Sequence, residues 1–493
     1  MSKAFKTISR AALLIGLSLA AAVSARAQTL EAKLRIVGTD AFVEGRMLDG
    51  TSAQNVTNFS FLKSYAGFDA LGARLSGVEL RDENDRPIAV KKLVDGEYLA
   101  EKPFRSWRYK ITLDASKTPS AAAHVSSLAG DRGILMTADL LPEFAEKTTA
   151  RLALELPPEW RAATLEKNAG ENVFEIANLE KAVIYVGAKL RETEIATAGN
   201  ARIRLVAAGE WQVTGDEAAR MTREIAGFYE KMFGGRSFDA ALVFLGKFPP
   251  GVKTGRWEAE TRGASVTILS SEMDFITQSV QRLHEQLRHE IFHLWFPNGV
   301  ALAGSYDWFY EGFALYASLR AAVAMNRIRF DDFLDTLGRA HSVDQFQTQR
   351  LPLVEAAKNR WNGANTQVYA RGMLVAFLID VALLGKSKGK TALADLLGEI
   401  YRKYRVSTVR PDGSAAILGE FAAHQELRTI VEKYVKGAAD IAWQTDLEPA
   451  GIESKTENFT TKLTVKADLN GRQKDLLDKL GYNNWRKISE SSK

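Results

Sequence analysis

The chain has no cysteine, only 12 prolines and only six histidines in 493 residues. Without thiols it can form no disulfide, no thiolate metal site and no cysteine nucleophile, and an oxidising compartment would do it no harm. Long apolar runs are equally scarce. The one at residues 11–23 follows Lys3, Lys6 and Arg10 and precedes Ala25-Arg26-Ala27, a small-x-small cleavage pattern. It falls short of the roughly 20 residues that cross a bilayer. Residues 1–27 therefore read as a cleaved export signal, with mature protein starting at Gln28, a periplasmic or extracellular destination and no stable membrane insertion. No later stretch reads as a membrane span.

A one-sided charge is missing too. Lys and Arg number 65 against 60 Asp and Glu, and the export segment holds four of the bases (Lys3, Lys6, Arg10, Arg26) and no acid, which leaves 61 against 60. That near-balance offers no argument for nucleic acid as a partner.

Against these absences stands one dense motif. Two of the six histidines lie in Arg288-His289-Glu290-Ile291-Phe292-His293-Leu294-Trp295, an HExxH inside an apolar-periodic stretch that predicts a helix. Residues i and i+4 share a helix face, so His289 and His293 can both aim an imidazole nitrogen at one metal. Glu290 sits beside the first ligand without being one, where a carboxylate can take a proton from an activated water. A catalytic zinc site needs a third protein ligand. The run Asp307-Trp308-Phe309-Tyr310-Glu311-Gly312-Phe313 predicts a second helix, reached through Pro297, Asn298, Gly299 and Gly304, which let the chain double back. The aromatic neighbours of Glu311 argue for burial, and a buried carboxylate needs a cation.

The segments HEIFHLWFPNGV and WFYEGFALYAS resemble the glutamate-zincins, thermolysin-like peptidases whose third zinc ligand is a glutamate on the next helix, and especially their aminopeptidase branches. The alanyl and leucyl aminopeptidases look like HExxH, WFGN and NEGFA with eighteen residues between the second histidine and the glutamate; this chain has seventeen. The stretch QVYARGMLVAFLID, with the later YVKG and PAGI, is similar to the glycyl aminopeptidase family, and the likeness runs over residues 45–452. Members of that family commonly end in a PDZ domain, for which the residues after 452 are too few. The resemblance implies one Zn2+ per chain, held by His289, His293 and Glu311, and peptide or protein substrates.

It also implies two further roles. Tyr369 stands where these families carry a tyrosine that donates to the developing oxyanion, and a phenol near pKa 10 is a donor at neutral pH. The alternative is an ordinary amphipathic-helix tyrosine. Glu258, in Gly255-Arg256-Trp257-Glu258, matches a Gly-x-x-Glu element whose glutamate grips the substrate's free amine; its alternative is an exposed strand-end carboxylate. Asp380 reads as a buried structural acid, His284 and Glu285 as a solvent-facing pair, and His124, His341 and His424 as ordinary.

The expected architecture is a multidomain α+β protein. Alternation at Tyr109, Ile111 and Leu113 and at Leu152, Leu154 and Leu156 predicts an N-terminal β-sandwich-like domain over 28–200. A thermolysin-like zinc catalytic domain follows over 201–326, opening on a helix capped by Thr214 and Glu217 and stopped at Gly234-Gly235. An α-helical domain covers 327–452, and 453–493 is a polar tail, partly mobile. The whole points to an exported zinc aminopeptidase. The alternatives are an endopeptidase with the same apparatus, and a secreted binding protein with an inert zinc site; the intact Glu290 speaks against the latter.

Overall fold

The computed structural model describes residues 28–48, 56–114, 121–144, 148–347 and 349–483. The export signal lies outside the described residues. Among them, the N-terminal strands form an eight-stranded sheet in the order Lys167–Gly170, Val173–Ile176, Thr148–Glu155, Gln28–Val37, Asp40–Met47, Ser106–Thr112, Leu75–Arg81, Pro87–Ile88. Alternation sets its two faces. Leu30, Leu34, Val43, Tyr109, Ile111 and Leu152 are buried in one core with Leu135, Ile184 and Val186 of a four-stranded sheet and with Phe59 and Tyr98 of a three-stranded one. Sheet packed on sheet is the expected sandwich-like arrangement.

A five-stranded sheet adjoins the HExxH helix, ordered Arg191–Ala196, Arg202–Ala207, Ala240–Lys247, Ser265–Ser270, Trp257–Arg262. Its middle three strands are parallel, and Ala240–Lys247 and Ser265–Ser270 are buried along nearly their whole length. The strand Arg191–Ala196, which sequence reading leaves in the N-terminal domain, pairs here with Arg202–Ala207. Trp257–Arg262 runs antiparallel along the edge beside the HExxH helix. The helix Gly215–Phe233 opens as expected: Thr214 Oγ1 accepts from the Glu217 N–H, and Glu217 returns a bond to the Thr214 N–H. Gly234 closes it in the left-handed conformation.

Beyond Ala324 the elements are chiefly helical. Asn365–Ser387 is long and apolar enough to cross a bilayer, contrary to the reading that no later stretch qualifies. It is mostly buried, a core helix hidden by its neighbours. The expected partly mobile tail is corrected up to residue 483, while residues 484–493 lie outside the described residues. Ile452–Glu457 and Thr460–Val465 form a hairpin and Gly471–Leu480 a helix, with Leu463, Leu476, Leu477 and Leu480 buried in the main core. Thr461 Oγ1 bonds His341 Nδ1 at 2.8 Å, tying the hairpin to the helix Phe330–Gln345.

Candidate metal centre

The helix Ile276–Phe292 presents His289 and Glu290 on its last turn, and His293, still right-handed, is its C-terminal cap. The last carbonyls of a helix favour positive charge, so the motif ends where a cation is welcome. Asp307–Ala324 brings Glu311 across from it. The helix is apolar nearly all round; Trp308, Phe309 and Phe313 are fully buried and hold the carboxylate inward.

His289 Nε2 and His293 Nε2 lie 3.1 Å apart. Glu311 Oε2 is 3.2 Å from the first and 3.3 Å from the second. Ligand bonds near 2.0 Å at tetrahedral angles separate donor atoms by about 3.3 Å, so the three are spaced as the face of a zinc tetrahedron. Their chemistry fits as well. His293 Nδ1–H donates to the Phe296 carbonyl at 2.8 Å, which fixes the tautomer and leaves a bare lone pair on Nε2. That lone pair faces a carboxylate, an arrangement only a proton or a cation relieves. Burial opposes protonation of His293, yet the Glu311 carboxylate outweighs it and lifts the imidazole to about 9. A metal replaces that proton on binding. His289 Nδ1 is buried without a protein partner.

Arg360, which the sequence did not single out, organises the other side of Glu311. Its Nη1 lies 2.9 Å from Glu311 Oε1 and 2.9 Å from Asp307 Oδ1. Its Nη2 donates to the Tyr369 hydroxyl at 2.7 Å, and its Nε to Asn365 Oδ1 at 3.1 Å. Burial alone would raise the Glu311 carboxyl, but Arg360 and His293 hold it well below the usual carboxylate range. The only sequence hint was a lone Arg-Trp ahead of the Asn-Gly turn.

Tyr369 enters on the helix Asn365–Ser387, its ring 6.1 Å from that of His289. Burial first, and the Glu311 charge second, push its phenol well above the ordinary value, so it stays a donor. Glu290 is 4% exposed, and the Thr261 hydroxyl lies 2.8 Å from its Oε2. Asp380 is buried and accepts from the Tyr316 hydroxyl at 2.6 Å, a structural acid as expected.

Two cavities meet at this centre. A smaller one of 420 Å³ takes in all three ligands with Glu290 and Tyr369, and is lined also by His124, Glu260 and Trp361. A larger groove of 1000 Å³ reaches His289, Glu290 and Tyr369 from the other side and contains Glu258. The two strand glutamates are thus parted. Glu258 is paired with Arg256 in the larger groove. Glu260 lines the smaller cavity together with the ligand set, and its carboxylate is met by the Tyr65 hydroxyl at 2.6 Å, His124 Nδ1 at 3.0 Å and Arg262 Nη2 at 3.5 Å. Period-two spacing makes both candidates, and only the tertiary fold separates them. His124 is therefore no ordinary histidine, and His284, expected in solvent, is 3% exposed.

The sheet with its antiparallel edge strand, followed by two helices carrying a His-His-Glu donor set, is the arrangement expected of a thermolysin-like domain. No family model matches the sequence, and no curated protein is detectably similar to it in sequence. The fold does have solved counterparts. An aminopeptidase N family protein from Idiomarina loihiensis matches with a TM-score of 0.73 at 16% identity, over 90% of this chain and 82% of that one. The M1 zinc metallopeptidase from Deinococcus radiodurans matches with a TM-score of 0.52 at 17% identity, over 84% of this chain and 94% of that one. A mutant of that enzyme, solved with a Tyr-Ser-Ala substrate, gives 0.53 at 17% identity. This chain has the fold of the aminopeptidase N and M1 zinc metallopeptidases.

Proposed function

We propose that the protein is an exported zinc aminopeptidase, releasing N-terminal residues from peptides. The observation that carries the reading is the convergence of His289, His293 and Glu311 at zinc-ligand spacing in one cavity with Glu290 and Tyr369. Zinc, when bound, supplies a Lewis acid that polarises the scissile carbonyl and makes water a nucleophile at neutral pH. Glu290, aimed by Thr261, accepts the proton of the attacking water and returns it to the leaving amine. Tyr369, held by Arg360, donates its hydroxyl proton into a hydrogen bond with the oxyanion.

Exopeptidase action needs a group that reads a free amine. Glu258, the carboxylate expected for this, faces the larger groove with Arg256 as partner; Glu260 takes the role here because it shares the smaller cavity with the whole ligand set. The wall around Glu260 draws on three parts of the chain, Tyr65 and His124, the edge strand, and Trp361, whose ring is 6.3 Å from that of His124. The test compares free peptides with their N-acetylated forms. Glu260→Ala is expected to lose most of the preference for the free amine and Glu258→Ala little of it; equal cleavage of free and N-acetylated peptides by the unaltered protein favours the endopeptidase. Export is supported by the signal-like residues 1–27. N-terminal sequencing of protein from cell fractions, expected to begin at Gln28, checks it.

A further inference from the structure

Arg288, immediately before the first histidine of the motif, is a buried cation with no ion-pair partner. It is 5% exposed, and among the described residues it makes no ion pair. What holds it is neutral. Its Nη1 contacts His284 Nδ1 one helical turn back, and its Nε donates to Ser318 Oγ at 3.2 Å on the Glu311 helix. Burial first, then the Arg288 charge, drives His284 down to about 3, so the imidazole is an uncharged acceptor. Its remaining Nε2 is buried without a partner. Nη2 of Arg288 makes no hydrogen bond and is not among the sealed polar atoms.

A guanidinium taken out of water with no counter-charge costs several kcal/mol. The arrangement is understandable if the charge is completed by something that comes and goes. Arg288 lines the larger groove, the one that also reaches Glu290 and Tyr369. Among the described residues none of the groove's carboxylates, Glu290 included, forms an ion pair with it. Glu285 is taken by Arg282 at 2.9 Å, Glu258 by Arg256, and Asp332 caps the N–H of Arg329 at 3.0 Å. Arg339, on the facing helix, bonds only the Thr336 hydroxyl and adds a second unpaired cation. The groove's lining holds carboxylates as well as guanidiniums, and Arg288 is its buried cation without an ion pair, beside the reacting centre.

We propose that this groove is a carboxylate-binding subsite in which Arg288, with Arg339 further out, receives the C-terminal carboxylate of a short peptide substrate. The inference deepens the aminopeptidase reading and rests on it. A free amine at Glu260 and a free carboxylate at Arg288 would measure a substrate from both ends and favour short peptides over long ones.

The test uses the zinc-loaded full chain, with Ala-Ala-Ala, its C-terminal amide, and Ala-Ala-Asp amide, whose only carboxylate is a side chain. Hydrolysis is measured on the unaltered protein and on Arg288→Gln and Arg288→Lys. Calorimetric binding is measured on Glu290→Gln, where turnover does not intervene. The free acid is expected to exceed the amide at least tenfold in kcat/KM and in affinity, through KM more than kcat. Arg288→Gln should level the two peptides, and Arg288→Lys should keep part of the difference. Equal handling of acid and amide by the unaltered protein overturns the proposal, even if the Gln variant fails to fold. If Ala-Ala-Asp amide matches the free acid, the carboxylate site stands and its assignment to the chain terminus falls. If no peptide is cut but the acid still binds better, the peptidase reading falls and the subsite stands.

Discussion

Gly312 and Gly372 meet backbone to backbone where the helix bearing Glu311 crosses the helix bearing Tyr369. A Cβ on Gly312 would lie 2.4 Å from the Gly372 Cα, and one on Gly372 would lie 2.7 Å from the Trp308 carbonyl oxygen. No side chain fits between them. Each glycine is one to three residues from a proposed site residue, so this contact sets the spacing between Glu311 and Tyr369. Gly372→Ala is expected to push the helices apart, at a cost of about 1–3 kcal/mol typical of overpacking. Denaturant melts should show the loss, and zinc affinity should fall with it. A variant as stable as the parent, with unchanged zinc binding, means the crossing tolerates a methyl group.

Arg360 is expected to matter through Glu311 rather than through the substrate. Arg360→Met removes the partner of Glu311 Oε1 and of Asp307. Outer partners of metal ligands are typically worth about 10–100-fold in affinity. Competition against a chromophoric chelator reads this directly, and Arg360→Lys should recover part of it. Undiminished zinc affinity in the Met variant would leave Arg360 as a folding residue only.

Tyr369→Phe should lower kcat far more than it raises KM, because the hydroxyl bond to the oxyanion forms chiefly in the transition state. An unchanged kcat returns Tyr369 to the role of a packed helix residue.

Acid stability carries a mark of Glu260. Burial alone would raise its carboxyl, but His124 and Arg262 more than offset this and hold it at about 2, against an ordinary 4.5. A carboxyl with a depressed value stabilises the fold above its ordinary range and loses that contribution as pH falls through its folded value. Between about pH 4.5 and 2 the unaltered protein should therefore lose stability more steeply than Glu260→Gln, as followed by denaturant midpoints. Parallel curves would mean that the Glu260 cluster contributes nothing to acid sensitivity.

What the sequence made legible is local. His289 and His293 share a helix face by spacing alone, and Glu311 is marked by the aromatics on its own helix. The Thr214 cap and the alternating strands are likewise encoded within a few residues. Groups joined only by the tertiary fold left no such mark. Arg360 sits in a short turn, yet it touches Asp307 and Glu311 about fifty residues earlier. His124 reaches Glu260 from the N-terminal domain, and period two cannot tell Glu260 from Glu258. The described part of the tail was misread because its lysines largely face solvent while Leu463, Leu476 and Leu480 pack inward. His284 was misread because its burial depends on Arg288 turning back over it.

The central claim is that Glu290 acts as a base beside a zinc held by His289, His293 and Glu311. Its most direct test is the rate of free-peptide hydrolysis by Glu290→Gln against the unaltered protein, at equal measured zinc content. Glutamine keeps the shape and removes the proton acceptor. One zinc per chain in both proteins, with a rate lower by at least about 100-fold in the variant, is the predicted result. Full activity in the variant, or in an unaltered protein stripped of metal, would contradict it.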